Sequence, residues 1–279
     1  MSESSTDSPK YIFRAADGAV PEEIQRLDAL HKGITEFMGG LSFAKLDNPP
    51  PKAILEVGSG SGAWAIDAAR QFPEARVTAI DVNPIPQREL PDNLEFRHVD
   101  VTQPVPFDKE SFDVVHARLI LLHVPDGEGV LRRIAELVKP GGWLLVEEPD
   151  DYHMTDGGKP LGPGIGAFLS GWMKVLKSRG ADPGFGCHVE EIIRSTDKFD
   201  EVNVKKVVIP ISGKSDDPKL KGLGLTWKEN MIRVGQDLPE RWAAFGITKE
   251  IGQQYLEELL DPSRAIQTHL YFAYCRKRV

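Results

Sequence analysis

The sequence predicts an α/β fold, a mostly parallel sheet with helices on both faces. Three observations point to it. Short runs such as Ala53–Val57 and Trp143–Glu147 are rich in apolar residues on both faces, as strands covered from two sides must be. Segments with helical spacing separate those runs, which is the alternation that parallel crossovers require. One strand-to-helix junction, Gly58-Ser59-Gly60-Ser61-Gly62, is a glycine loop of the kind that lets a ligand touch the main chain.

Taken in order, residues 1–10 are polar and proline-containing and are expected to be disordered, because they cannot bury enough surface to offset chain entropy. From Pro21 to Gly39, Ile24, Leu27, Leu30, Ile34 and Phe37 recur at helical spacing. Pro21 suits the first turn, Glu22 and Glu23 its positive end, and Gly39-Gly40 its stop. Asn48-Pro-Pro-Pro51 is a stiff lead-in, since the residue before each proline avoids helix. Strands are then predicted at Ala53–Val57, Arg76–Ile80, Leu94–His98, Asp113–Ala117 and Trp143–Glu147, with helices at Ala63–Gln71 and Gly129–Val138. Beyond Pro149 the pattern gives helices at Ile165–Arg179 and Val189–Thr196 and a strand at Val202–Pro210. Polar and helical segments fill Pro218–Leu260, and a last strand spans His269–Cys275. Residues 1–50 are read as a tail and helical lid, 51–279 as the main domain, and 212–262 as a cap inserted before the last strand.

Composition narrows the function. A length of 279 residues and a hydrophobic fraction of 41% suit one domain with a modest cap. The net charge of −8 argues against a nucleic-acid partner, which needs a basic surface. The start, MSESSTDSPK, has no apolar stretch resembling a signal peptide, and no run approaches a membrane helix in length. Cys187 and Cys275 make no spacing motif and read as a reduced pair, so a cytoplasmic protein is expected. Oligomeric state is left open.

By itself the glycine loop would also suit a dinucleotide, because Gly58, Gly60 and Ala63 meet the relaxed fingerprint and Asp81 follows where an acid can reach a ribose. Glu56 decides against it. A carboxylate two residues before the first glycine repels a pyrophosphate but attracts an ammonium or sulfonium. Asp100, directly after the third strand, can accept from an adenine amine.

Leu55–Gly62, Asp81, Asp100, Phe112–Val115 and Leu137–Trp143 together resemble the successive motifs of class I S-adenosylmethionine-dependent methyltransferases. Within that class the chain is similar to fungal LaeA-related, secondary-metabolism methyltransferases, through Glu22–His31, Trp64–Asp67, Asp81–Ile85 and His269–Tyr274. The resemblance implies a Rossmann-like sheet of seven strands with the last antiparallel. It implies S-adenosylmethionine as cofactor, with Glu56, Gly58, Ser59, Gly60 and Gly62 around its amino-acid end. Asp81 would meet the ribose, Val82 would border adenine, Asp100 and Val101 would hold its amine, and Ala117 and Arg118 would line the methionine portion. Trp64 is read as core.

The acceptor is expected to be a small metabolite methylated on a phenolic or other hydroxyl oxygen. His123, after the fourth strand, and His153, after the fifth, are the candidate bases, because a hydroxyl acceptor must lose a proton. Tyr11, Tyr152 and Trp172 are candidate substrate walls, with Phe13, Trp227 and Trp242 as further aromatics. Glu147, Glu148, Asp150 and Asp151 raise the question of a metal. None is expected, because His116-Ala-Arg118 offers no acid where catechol-type enzymes carry one. Arg26 and Asp28 form either a local ion pair on a solvated face or part of the lid. The rivals are a thiol or amine methyltransferase of the same fold and a regulatory protein acting through a protein partner.

Overall fold

The computed structural model describes residues 21–237 and 242–279, so the tail at 1–10 and Tyr11 lie outside the described residues. Its elements are α1 (Pro21–Met38), β1 (Ala53–Val57), α2 (Ala63–Gln71), β2 (Arg76–Asp81), β3 (Leu94–His98), β4 (Phe112–Arg118) and α3 (Gly127–Glu136). There follow β5 (Val138–Asp156), α4 (Pro163–Ser178), α5 (Phe185–Ser195), β6 (Phe199–Pro210), α6 (Pro218–Asp237), a 3-10 turn (Ala243–Phe245), α7 (Lys249–Leu260) and β7 (Ile266–Lys277).

These strands form one seven-stranded sheet in the order β3-β2-β1-β4-β5-β7-β6. β3, β2, β1, β4 and β5 pair in parallel, and β7 lies antiparallel between β5 and β6. The last strand is therefore the antiparallel one, as expected. The central strands read as near-continuous apolar runs because both faces are covered: Ile54, Leu55 and Val57 of β1 and Val114, Val115 and Ala117 of β4 are all buried. Strand order reverses between β1 and β4, and such a reversal opens a crevice at the carboxyl ends of the strands.

β5 departs from expectation. It continues past Glu147 to Asp156 because β7 pairs with it along this whole stretch, with a bulge between Asp150 and Thr155. The polar run Asp150-Asp151-Tyr152-His153, which resembles a loop, is thus strand. α3 also begins two residues earlier than expected, at Gly127, where the Asp126 carboxylate accepts from the Gly129 N–H at 3.0 Å. No described helix is long and apolar enough to cross a membrane.

Above the crevice, α1 packs along α6. Gly33 is the close-approach point: a Cβ there would lie 2.7 Å from Thr226 Oγ1. Arg26 donates to Asn230 Oδ1, and Arg233 donates to the Glu22 carbonyl at 3.1 Å. Arg26 and Asp28 do not pair with each other. Arg26 binds Glu23 one turn away, whereas Asp28 accepts both guanidinium nitrogens of Arg88 at 2.6 and 3.2 Å. Arg88 also donates to the Ser61 carbonyl at 2.9 Å, so Asp28 links α1 to the glycine loop.

Candidate active site

Two clefts meet beneath α1. The first lies at the ends of β1, β2, β3 and β4, and the glycine loop forms its floor. Gly58 and Gly60 hold φ of +73° and +51°, a region that favours glycine. A Cβ on Gly58 would also lie 2.3 Å from Ile120 Cδ1. The loop is fixed from below by Asp81, whose two carboxylate oxygens accept from the Gly60 N–H (2.9 Å) and the Asn83 N–H (2.8 Å). Asp100 makes a similar local turn, accepting from the Thr102 N–H and hydroxyl at 3.0 and 2.6 Å.

Of the residues expected around a cofactor, Glu56, Gly58, Ser59, Gly60, Asp81, Val82, Asp100, Val101 and Arg118 line this cleft together. Two do not. Gly62 is the left-handed N-cap of α2, with Ile85 against it, and the Ala117 side chain is buried in the core between the sheet neighbours Val57 and Val146. The Ser59 hydroxyl is buried with no hydrogen-bond partner among the described residues, as suits a group that faces a ligand.

Along the wall of the cleft, through its lining residues Arg118 and His31, runs a charged chain that the sequence did not reveal as a unit. Arg118 binds Glu147 through Nε and donates to His31 Nδ1 at 3.1 Å, and His31 Nε2 meets Asp67 Oδ2 at 2.9 Å. Because arginine can only donate, His31 must accept at Nδ1, which leaves its proton on Nε2 for the carboxylate. His116 is fully buried and stacked on Trp64 at 3.8 Å, with Glu56 and Glu147 each 3.8 Å from one of its nitrogens. Burial pushes the His116 imidazolium down to about 4. Burial alone would raise Glu147, but the Arg118 charge and the His116 contact hold it at about 2. Glu56 goes the other way. Burial lifts its carboxyl to about 8 despite Arg118 and the hydrogen bond from the Ala65 N–H at 3.0 Å.

The second cleft shares Leu27, Leu30 and Leu119 with the first. Its walls are otherwise Leu122, Pro149, Met154, Ile165, Phe168, Leu169, Trp172, Trp227, Met231, Val234 and Tyr255, with Arg26, His123, Asp151 and Asn230 as the polar members. It is thus built by α1, α4, α6, α7, β5 and the loop after β4. Trp172, a predicted wall, donates through Nε1 to Asp151 Oδ2 at 2.9 Å. Burial raises the Asp151 carboxyl to about 6 against that hydrogen bond, with Asp150 adding to the rise.

The two predicted bases part company here. His123 is buried in the second cleft, where burial and then Arg26 push it down to about 3, which makes it a weak base. His153 lines neither cleft: it is exposed on β5, with Nδ1 2.6 Å from Asp150 Oδ2. Tyr152 is likewise exposed, packed on Gly184 and beneath the Lys177 ammonium, and is not a wall of the cavity. Both lie outside the cavity because residues 148–153 continue β5 rather than leave it: strand alternation sends Tyr152 away from the Asp151 side, and the bulge after Asp150 turns His153 back over Asp150.

The same alternation gives the four acids separate tasks. Glu147 binds Arg118. Glu148 accepts the N–H groups of Ile120 and Leu121 at 2.9 and 2.7 Å, with Leu122 at 3.4 Å, and so fixes the loop that separates the clefts. Asp150 contacts His153, and Asp151 faces the second cleft. Asp151 was missed as an acid of the second cleft because its run reads as a solvated cluster.

Comparison with known proteins agrees with this arrangement. A family model described as a methyltransferase domain matches residues 29–180. "Methyltransferase str2" of Strobilurus tenacellus is 38% identical over 262 residues, covering 92% of this chain and 94% of that protein. "Methyltransferase str3" of the same organism is 46% identical over 207 residues, 74% of each chain. LaeA-type secondary-metabolism regulators are further relatives, matched over shorter stretches. In fold, the cyclase SpnF aligns with a TM-score of 0.52 at 18% identity, over 91% of this chain and 94% of that one. With the methyltransferase motifs brought together around one cleft, a family model over more than half of the chain and one relative matched over 94% of its length, the chain belongs to the methyltransferase-domain family and is an S-adenosylmethionine-dependent methyltransferase.

Proposed function

We propose that this methyltransferase methylates a hydroxyl oxygen, phenolic in the first instance, of a small apolar metabolite held in the second cleft. One observation carries the reading: an aromatic, apolar cavity adjoins the cofactor cleft across Leu27, Leu30 and Leu119 and holds a half-buried carboxylate, Asp151. A cavity of this character accepts a flat apolar molecule with few polar groups. The free thiols of Cys187 and Cys275 support a reducing compartment such as the cytosol.

S-adenosylmethionine, when bound, supplies a methyl group already activated on sulfur. Glu56 would face its cationic end, Asp81 its ribose hydroxyls, and Asp100 with Val101 its adenine amine. Glu56 also weighs against a nicotinamide cofactor, whose pyrophosphate it would repel. What the protein adds is alignment, exclusion of water and removal of the acceptor's proton. The leucines at the shared wall and the α1–α6 roof exclude water. Asp151, oriented by Trp172 Nε1, is the group best placed to take the proton. His123 lines the same cavity as a neutral ring that can hold the acceptor's oxygen by a hydrogen bond. A phenol of pKa ~10 stays protonated at neutral pH without such help.

The test is to incubate the protein with methyl-labelled S-adenosylmethionine and a panel of phenols, thiols and amines, and to identify the labelled products. Labelled ethers from apolar phenols are expected. Products methylated only on nitrogen or sulfur would overturn the oxygen assignment, and no labelled small molecule from any class would favour a regulatory role instead.

A further inference from the structure

Asp150, His153 and His269 form a group that methyl transfer does not use. Asp150 and His269 are directly opposite in the antiparallel β5–β7 register, so their side chains share a face. His153 joins them because of the bulge. From Asp150 to Thr155 the chain advances five residues while β7 advances two, from His269 to Gln267, and the excess loop returns His153 over Asp150. His153 Nδ1 is 2.6 Å and His269 Nδ1 3.8 Å from the same oxygen, Asp150 Oδ2, and the two rings stack at 5.9 Å. One ligand atom from each of the three residues can be chosen so that all lie within 4.8 Å of one another.

Two features distinguish this cluster from a surface ion pair. The Asp150 carboxylate is fully buried, yet it belongs to neither cleft. The His269 Nδ1 atom is buried and has no hydrogen-bond partner among the described residues, although it lies on the carboxylate side of its ring, 3.8 Å from Asp150 Oδ2. A buried nitrogen without a partner is costly unless something binds it. His153, by contrast, is 59% exposed and gives an ion a way in.

We propose that Asp150, His153 and His269 bind a divalent first-row transition-metal ion of the zinc class, with water completing the shell. Two imidazoles and one carboxylate are a donor set that such ions favour, with metal–ligand distances of about 2.0–2.2 Å reached when the His153 ring shifts slightly away from Asp150 and the His269 ring slightly toward it. The ion ties the β5 bulge to β7. Asp151 and Met154, in that same stretch, face the second cleft, so the tie steadies a wall of that cavity without entering it.

The test is titration of the full chain with Zn2+ by calorimetry, with Tm followed in parallel. Wild type is expected to take up one equivalent and to gain roughly 4–8 °C in Tm at a hundred times Kd. His153→Ala, an exposed change that should not disturb folding, and His269→Ala are each expected to weaken binding at least tenfold. His188→Ala, removing an exposed histidine that is paired with Asp182, should bind like wild type. Absence of saturable binding by wild type, or equal binding by His153→Ala and His269→Ala, would overturn the proposal.

Discussion

The cofactor cleft and the acceptor cavity share three leucines but are made in opposite ways. Apart from α1, the cofactor cleft is drawn from residues 56–124, and its main features are loop backbone and acids at the ends of successive strands. The acceptor cavity takes side chains from residue 26 to residue 255, on four helices, a strand and a loop. Two of its polar groups are held by partners distant in sequence, Asp151 by Trp172 and Arg26 by Asn230. Local construction preserves one chemistry, while distributed construction lets the acceptor change without disturbing the donor site. This division predicts that variants on the two sides separate into two phenotypes.

The largest effect is expected at Asp151. Asp151→Asn keeps an acceptor for Trp172 Nε1 but removes the base, so turnover of a phenol should fall by ~10²–10⁴-fold. Affinity for S-adenosylhomocysteine should not change. Parallel assays on a phenol and a thiol sharpen the point, since thiols ionise near pH ~8.5 and need less help. A thiol reaction slowed as much as the phenol reaction would mean that Asp151 shapes the cavity rather than moves a proton.

Next in size is Asp81→Ala, on the other side of the division. Loss of charge-assisted hydrogen bonds to the ribose should weaken cofactor binding by about 2–3 kcal/mol, read by calorimetry. The same variant loses the anchors at Gly60 and Asn83, so Tm should fall as well. An unchanged dissociation constant would remove Asp81 from the ribose site.

A smaller effect concerns pH. Burial lifts Glu56 to about 8 in the free protein, above its ordinary 4.5, so the folded chain holds a proton that the unfolded chain releases. Between pH 4.5 and 8 this group therefore lowers stability as pH rises. Binding of a cationic cofactor favours the ionised carboxylate, so affinity should rise by up to about tenfold per pH unit until pH 8 is reached. Calorimetry at pH 7 in buffers of different ionisation enthalpy should detect proton release on binding, and Glu56→Gln should abolish it. Least of all should be the effect of chelation. EDTA is expected to change methyl transfer less than twofold, because the proposed ion touches neither cleft and acts on the acceptor cavity only by steadying its β5 wall.

How much of this was legible follows from the same contrast. Glu56, the glycine loop, Asp81 and Asp100 stand in short, ordered stretches whose meaning depends on neighbours in the chain, and the resemblance they carry implied seven strands with the last antiparallel. The apolar runs of β1 to β4 likewise report their own burial. β5 beyond Glu147 does not, because the buried Glu148 and Asp150 and the half-buried Asp151 face groups supplied elsewhere: the Ile120–Leu122 backbone, His269 and Trp172. Polar residues satisfied at long range look like a loop, and reading them so set His153 and Tyr152 beside the acceptor, whereas neither lines the cavity. The Arg118–Glu147–His116 chain was hidden for the same reason.

The most direct test of the division between the clefts is one experiment on two variants. Cofactor affinity, as the dissociation constant of S-adenosylhomocysteine, and turnover of one labelled phenol are measured for wild type, Asp81→Ala and Asp151→Asn. The division predicts that Asp81→Ala raises the dissociation constant ~30–150-fold, the equivalent of about 2–3 kcal/mol, and that Asp151→Asn leaves it within twofold while turnover collapses. A dissociation constant shifted as strongly by Asp151→Asn as by Asp81→Ala, or phenol turnover untouched by Asp151→Asn, would contradict it.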